Sequence, residues 1–351
     1  MPSVDLVEPV HVRTAIHSSC SNDTYTALIF SDEKNLVHIF QNHNIVHTIY
    51  PPGYSADYPP PKSLVVCCAW SPLVEEGIHQ LIIATSHGHL CACDTRTWTL
   101  TNIKYPSRIE KHFQKLIVVR DLIVLSTNKE VVVLQRTTWG DWEMSSIRPA
   151  VPLPSRDLIL DMDVSGNVVA VCCQQRRSVV VISLNNERPE LRAQLRQTPK
   201  DASELSDGEF VTPAEGDDDL FILNEIKLSQ KRVPVACAWS KYTDVLVLAS
   251  SDNLLSIWNI SSRSIETVAV GDESVVIRNV KFISDVVVAV ALNDGIVLVD
   301  VDEGVLYEAD KHSSGPGSKC ASLDCVMLKG GNKVLVARPA HARLDRWKVG
   351  L

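Results

Sequence analysis

The chain has 351 residues, 45 % hydrophobic but only 6 % aromatic, with 34 basic against 42 acidic side chains and a formal net charge of −8. That balance argues against a protein held to nucleic acid by a general positive field. No apolar stretch approaches the roughly 18 residues of a membrane helix and no apolar run follows a basic start, so neither a span nor a secretory leader is expected.

In chain order, Val4–Ile16 is β-competent but has no partner run of its own. From Tyr25 a unit then returns about seven times: a β-rich run, a polar turn, and a second β-rich run. Its copies are Tyr25–Phe30 with Leu36–Phe40, Leu81–Thr85 with Cys91–Cys93, Leu122–Ser126 with Val131–Leu134, and Val168–Cys173 with Val179–Ile182. They continue as Val245–Ala249 with Leu255–Trp258, Val286–Leu292 with Ile296–Val299, and Val334–Ala337 with Leu344–Trp347. The second-run ends recur at about 41 to 53 residues, with one wider gap of about 76, which is the length of a four-stranded propeller blade plus insertions. Most first runs are unbroken Val, Ile, Leu, Ala and Cys, the composition of a strand covered on both faces. The expected fold is all-β, a single seven-bladed propeller over residues 1–351. The chain stops after Leu344–Trp347 with one strand of the last blade unaccounted for, so part of Val4–Ile16 is expected to supply it and close the ring.

Ser251-Asp252 followed by Trp258-Asn259, within Val245–Ile260, resembles the closing strands of a WD40 repeat. Val66–Pro72 (VCCAWSP) and Val235–Lys241 (VACAWSK) are similar to that family's opening strand. Asn293-Asp294-Gly295 before Ile296–Asp300 is a milder version of the same turn. The resemblance runs over nearly the whole chain and is densest from Val233 to Val301. It departs in two ways: no Gly-His pair precedes an opening strand, and the Trp-Asp dipeptide becomes Cys93-Asp94 or Val299-Asp300. The family's His-Ser-Asp-Trp hydrogen-bond tetrad is therefore complete in no blade. The resemblance implies a rigid body that presents loops to other proteins.

Two insertions interrupt the repeat. Tyr50–Pro61, between the first and second blades, favours extended polyproline geometry and carries Tyr54 and Tyr58 as candidate partner contacts. Residues 197–220, between the fourth and fifth, set one lysine against eight carboxylates and are expected to be a disordered acidic insertion. Thr198, Ser203, Ser206 and Thr212 within it are candidate phosphorylation sites. A modest basic group near the C-terminus, Arg338, Arg343, Arg346 and Lys348, is a candidate partner or phosphate contact.

The ten cysteines fall mostly inside predicted strands as small buried hydrophobes, and adjacent pairs such as Cys67-Cys68 point to opposite faces. No Cys-x-x-Cys pair exists, and neither a disulfide framework nor a metal is expected. His87-Gly88-His89 is expected to form a hairpin turn, with Cys91 and Cys93 in the strand after it. The sequence has no nucleophile elbow, phosphate loop, zinc-protease helix motif or dinucleotide fingerprint, and Asp217–Asp219 lacks the ligand spacing of a calcium loop. The expectation is therefore a non-enzymatic scaffold or adaptor subunit of an intracellular multiprotein complex, nuclear or cytoplasmic. It needs no cofactor, binds no small-molecule substrate and is not inserted in a membrane. The alternative is an RNA- or DNA-associated, non-catalytic subunit of a nucleic-acid-modifying complex, such as a tRNA methyltransferase, with any nucleic-acid contact indirect.

Overall fold

The computed structural model describes residues 3–11, 16–30, 35–41, 44–52, 64–72, 77–105, 112–120, 122–127, 130–136, 144–147, 151–152, 157–166, 168–183, 208–211, 222–228, 232–240, 243–262, 264–271, 275–292, 296–304, 306–309, 322–328, 331–338 and 343–350. Among these residues there are strands and turns and no helix, so none is long and apolar enough to cross a membrane.

The chain opens with β1 (Ser3–His11), which joins a sheet made at the other end of the sequence. The first sheet to form in chain order is β2 (Ile16–Ser21), β3 (Thr26–Phe30), β4 (Val37–Gln41) and β5 (Asn44–Ile49). The second is β6 (Val65–Trp70), β7 (Gln80–Thr85), β8 (Leu90–Asp94) and β9 (Leu100–Asn102). The third runs β10 (Phe113–Val119), β11 (Leu122–Thr127), β12 (Glu130–Arg136) and β13 (Met144–Ile147), with β14 (Val151–Pro152) also on β12. The fourth has β15 (Ile159–Ser165), β16 (Val168–Cys173) and β17 (Ser178–Ser183), after which β18 (Gly208–Val211) lies outside β19 (Ile222–Leu228). The fifth is β20 (Pro234–Trp239), β21 (Val245–Ser250), β22 (Leu254–Asn259) and β23 (Ser264–Ala269). The sixth is β24 (Ile277–Phe282), β25 (Val287–Leu292), β26 (Ile296–Asp300) and β27 (Leu306–Ala309). The terminal sheet has β28 (Ser322–Leu328), β29 (Gly331–Arg338) and β30 (Arg343–Gly350), with β1 antiparallel to β30 from Ser3↔Gly350 to His11↔Arg343. All strand pairs are antiparallel, and each repeated hairpin of the sequence is the central pair of a sheet. The pairing of the N-terminal segment beside Leu344–Trp347 is also present.

The strands fall into two compact units, Met1–Arg156 with Ser318–Leu351 and, separately, Asp157–Gly317. Within each, successive sheets pack face to face, and the side-chain period of two explains how. On β7, Leu81 and Ile83 join a cluster with Ala27, Ile29 and Val37 of the first sheet, while Ile82 and Ala84 join Leu116, Ile123 and Leu125 of the third. Cys67 and Cys68 divide in the same way, one to each cluster. In the other unit Leu246 and Leu248 pack toward Val168, Ala170 and Cys172, and Val245 and Val247 toward Val288 and Val290. A strand covered on both faces is apolar at nearly every position, hence the long Val, Ile, Leu and Ala runs.

The turns joining second to third strands repeat one device. Gly88 (φ 79°), Arg177 (φ 52°) and Asn253 (φ 64°) adopt the left-handed conformation. In each the residue's N–H donates to the carbonyl three residues back, that of Thr85, Gln174 or Ser250, at 3.1–3.2 Å. Asn35 (φ 47°) does more: its Oδ1 accepts from Val65 N–H and its Nδ2 donates to the Phe30 carbonyl at 3.2 Å, tying the first sheet's turn to the second sheet's opening strand.

Candidate interaction surface

The opening strands carry the most polar chemistry. A strand at a sheet edge leaves amides unpaired, and in the second unit neighbouring side chains satisfy them. Asp161 and Asp163 on β15 accept from the N–H groups of Cys237 (3.1 Å) and Trp239 (2.7 Å) on β20. Lys281 of β24 donates to the second oxygen of Asp163 at 3.0 Å, so one carboxylate links three opening strands. Ser165 Oγ donates to the Ser240 carbonyl at 2.7 Å, and Ser240 Oγ to the Asp285 carbonyl at 3.4 Å. In the first unit His17 of β2 hydrogen-bonds the Val66 backbone of β6; desolvation of its ring lowers the imidazole pKa, and Lys115 of β10 lowers it further. A β-bulge falls one residue into each of these strands, at His17, Val66 and Gln114 in one unit and at Leu160, Val235 and Arg278 in the other. A bulge re-aims its side chain away from the ladder; His17 and Arg278 are exposed, whereas Val66 and Leu160 lie partly buried against the cores of their own units.

The first sheet ends differently. Ile45 (54 % exposed) and Val46 (41 %) lie on its outermost strand β5, Tyr50 (53 %) follows it, and Leu64 (46 %) precedes β6. Among the described residues the other large hydrophobe this exposed is Leu158, in the second unit. Single exposed apolar residues are ordinary; Ile45 and Val46, adjacent on one edge strand, mark a surface fit for contact. Val46 sits at a bulge, since His47 is opposite Ile39 and Ile45 opposite Phe40.

Behind β5 lies an aromatic cluster. His47 stacks on Trp98 with centroids 4.9 Å apart, Trp98 meets Tyr25 edge-on at 5.7 Å, and Tyr25 stacks on Trp70 at 5.7 Å. Asn22 Oδ1 accepts from the N–H groups of Tyr25 (2.6 Å) and Thr24 (2.9 Å), and its Nδ2 faces His79 Nδ1 at 3.1 Å. An Asn oxygen so used leaves the amide as donor, which places the His79 proton on Nε2, 3.8 Å from Asp23. Trp98 itself has φ 56°, a conformation costly for a bulky residue. It is held there by the Asp94 turn, in which Asp94 Oδ1 accepts from Arg96 and Thr97 N–H and the Asp94 carbonyl from Trp98 N–H. Burial lowers the His47 pKa, so its ring stacks in the neutral form at pH 7.

Of the residues singled out from sequence, Tyr54, Tyr58, Thr198, Ser203, Ser206 and Thr212 lie outside the described residues. Gly208–Val211, inside the acidic stretch, forms β18, with Gly208 opposite Leu228 and Val211 opposite Glu225. Arg338 on β29 and Arg343 on β30 are register partners. Arg346 and Lys348 occupy β30 positions of the other parity, opposite Leu335 and Lys333 on one side and Val7 and Asp5 on the other. The basic group is thus divided by strand parity. His87 and Gly88 form the turn after β7, and Cys91 and Cys93 are buried in β8, where desolvation raises their thiol pKa values to about 11 and about 12. Sequence reasoning missed the Asp161–Asp163–Lys281 link, although two carboxylates alternating in the apolar run ILDMDVS were a usable signal. It also passed over Ile45 and Val46, whose β-branched character reads as core.

In comparisons with known proteins, no family model and no curated protein matches the chain.

Proposed function

We propose that this protein is a non-enzymatic WD40-like scaffold or adaptor subunit of an intracellular complex, its sheets acting as seven blades of one closed ring with β1 completing the last. The observation that carries the binding role is the exposed pair Ile45 and Val46 on the edge strand β5, whose His47 stacks on Trp98 of an aromatic cluster. Such an edge offers unpaired main-chain groups and apolar side chains to a partner at once. Completion of the last blade is supported by the antiparallel pairing of β1 with β30 from Ser3↔Gly350 to His11↔Arg343. The resemblance to WD40 repeats is supported in the fifth sheet, where Ser250 Oγ donates to Asp252 and Arg232 pairs with the same carboxylate, a serine–aspartate core with arginine where the family has histidine.

The experiment compares wild-type protein with an Ile45→Asp/Val46→Asp double variant in purification from native cells followed by mass spectrometry. A defined set of proteins should be lost from the variant while its melting temperature stays within a degree or two. An unchanged set removes β5 from the reading. In parallel, purified protein should bind RNA no better than about 10⁻⁵ M at physiological salt, the range of non-specific contacts. Submicromolar, salt-steep binding that disappears on charge reversal of Arg338, Arg343, Arg346 and Lys348 would instead favour a nucleic-acid-associated subunit.

A further inference from the structure

Two pairs of cysteines meet between consecutive sheets, and they differ in access. In the second unit Cys237 of β20 hydrogen-bonds Cys172 of β16, and both are fully buried. In the first unit Cys20 of β2 and Cys68 of β6 stand Sγ to Sγ at 3.2 Å, and here Cys20 is only partly buried. The two sulfurs need close by only about 1 Å to reach the bonding distance of about 2.05 Å. Their strands are opening strands of adjacent sheets, 48 residues apart in sequence, and both sulfurs belong to the apolar contact between those sheets. Cys67, the immediate neighbour of Cys68, cannot compete for Cys20. It packs in the cluster on the opposite side of β6, and burial pushes its thiol up to about 12.

We propose that Cys20 and Cys68 are an oxidisable dithiol, a modification site at which a small disulfide such as glutathione disulfide locks the first sheet to the second. The Cys20 thiolate, the accessible member, attacks one sulfur of glutathione disulfide, forming a mixed disulfide and expelling one glutathione thiolate. Cys68 gives its proton to solvent and attacks the Cys20 sulfur, expelling the second glutathione. The protein loses two electrons and two protons, and one glutathione disulfide becomes two glutathione. The bond closes a long loop, so it raises resistance to unfolding. Because β2 and β6 flank the aromatic cluster behind β5, it also fixes the body from which that edge projects.

The full-length protein is incubated natively with glutathione disulfide, blocked with an alkylating agent and digested. The expected product is a Cys20–Cys68 linked peptide, two hydrogen atoms lighter than the two reduced peptides, reversed by dithiothreitol, with Cys172 and Cys237 alkylated only after unfolding. The oxidised protein should melt several degrees higher than the reduced form. Cys20→Ser should abolish both the linked peptide and the shift while leaving the reduced melting temperature nearly unchanged. Should that variant fold poorly, the wild-type peptide map decides alone. Absence of the linked peptide from folded protein, or its appearance only together with oxidation of Cys172 and Cys237, overturns the proposal.

Discussion

Asp163 shows how one side chain can hold several strands. Its carboxylate is largely buried, accepts from Trp239 N–H, and receives Lys281 on its other oxygen. These two bonds differ in worth. Removing the acceptor orphans a backbone donor and strands a part-buried ammonium, so Asp163→Ala should cost about 2–3 kcal/mol in chemical denaturation. Lys281 is itself a third exposed, so Lys281→Met should cost less than about 1 kcal/mol. Equal losses would mean that the ion pair, and not the amide cap, carries the effect. A second residue-scale outcome concerns pH. His17 and His47 have folded pKa values below the ordinary 6.5, so near pH 6 the unfolded chain binds more protons than the folded one. Stability should therefore fall as pH is lowered through 6.5, and His47→Phe, which keeps an aromatic ring on Trp98, should flatten part of that fall. A denaturation midpoint unchanged between pH 7.5 and 5.5 would contradict this.

At the scale of the element, β1 and β18 are outer strands that the chain adds from a distance. Deleting residues 1–11 removes the ladder of β1 on β30 and leaves the β30 edge unpaired in the terminal sheet. The truncated protein should melt several degrees lower or aggregate; a melting curve matching wild type would show that β1 is dispensable. For the acidic segment two nested deletions separate composition from pairing. Removing residues 198–206 shortens a charged, apolar-poor stretch and should leave the melting temperature nearly unchanged, because closure entropy varies slowly with loop length. Removing 198–219 also takes away β18 and bares the outer edge of β19, so it alone should lower the melting temperature or solubility. Identical curves for both deletions would assign β18 no stabilising role.

On the scale of the whole molecule, the proposed closed ring makes a prediction that a pair of independent domains does not. Residues 157–317 carry three complete sheets, yet the fourth and sixth bury both faces of their central strands. Under the proposed ring, this segment expressed alone should not unfold cooperatively. The full chain should show one transition, coincident by circular dichroism and tryptophan fluorescence. A well-folded, monomeric 157–317 fragment would argue for two independent bodies.

The central hairpins were legible in the sequence because a strand covered on both faces is almost entirely apolar, its few buried polar residues being small Ser and Thr mostly at strand ends, so composition alone reports it. Leu81–Thr85 and Val245–Ala249 appear in the structure as β7 and β21 for that reason. The absence of helical periodicity was equally readable, and the expected N-terminal strand is found beside Leu344–Trp347. The outer strands were less so. β23 (SIETVA) is half solvated, and β18 lies in a segment whose charge reads as solvent, so pairing with β19 and not local composition decided its state. The bulges at His17 and Arg278, the capping of the Cys237 and Trp239 amides by Asp161 and Asp163, and the meeting of Cys20 with Cys68 belong to tertiary structure alone. Each depends on the register between strands or on which side chains two sheets bring together across dozens of residues. An unbroken apolar run fixes which residues are buried, but it carries no record of which neighbour buries them.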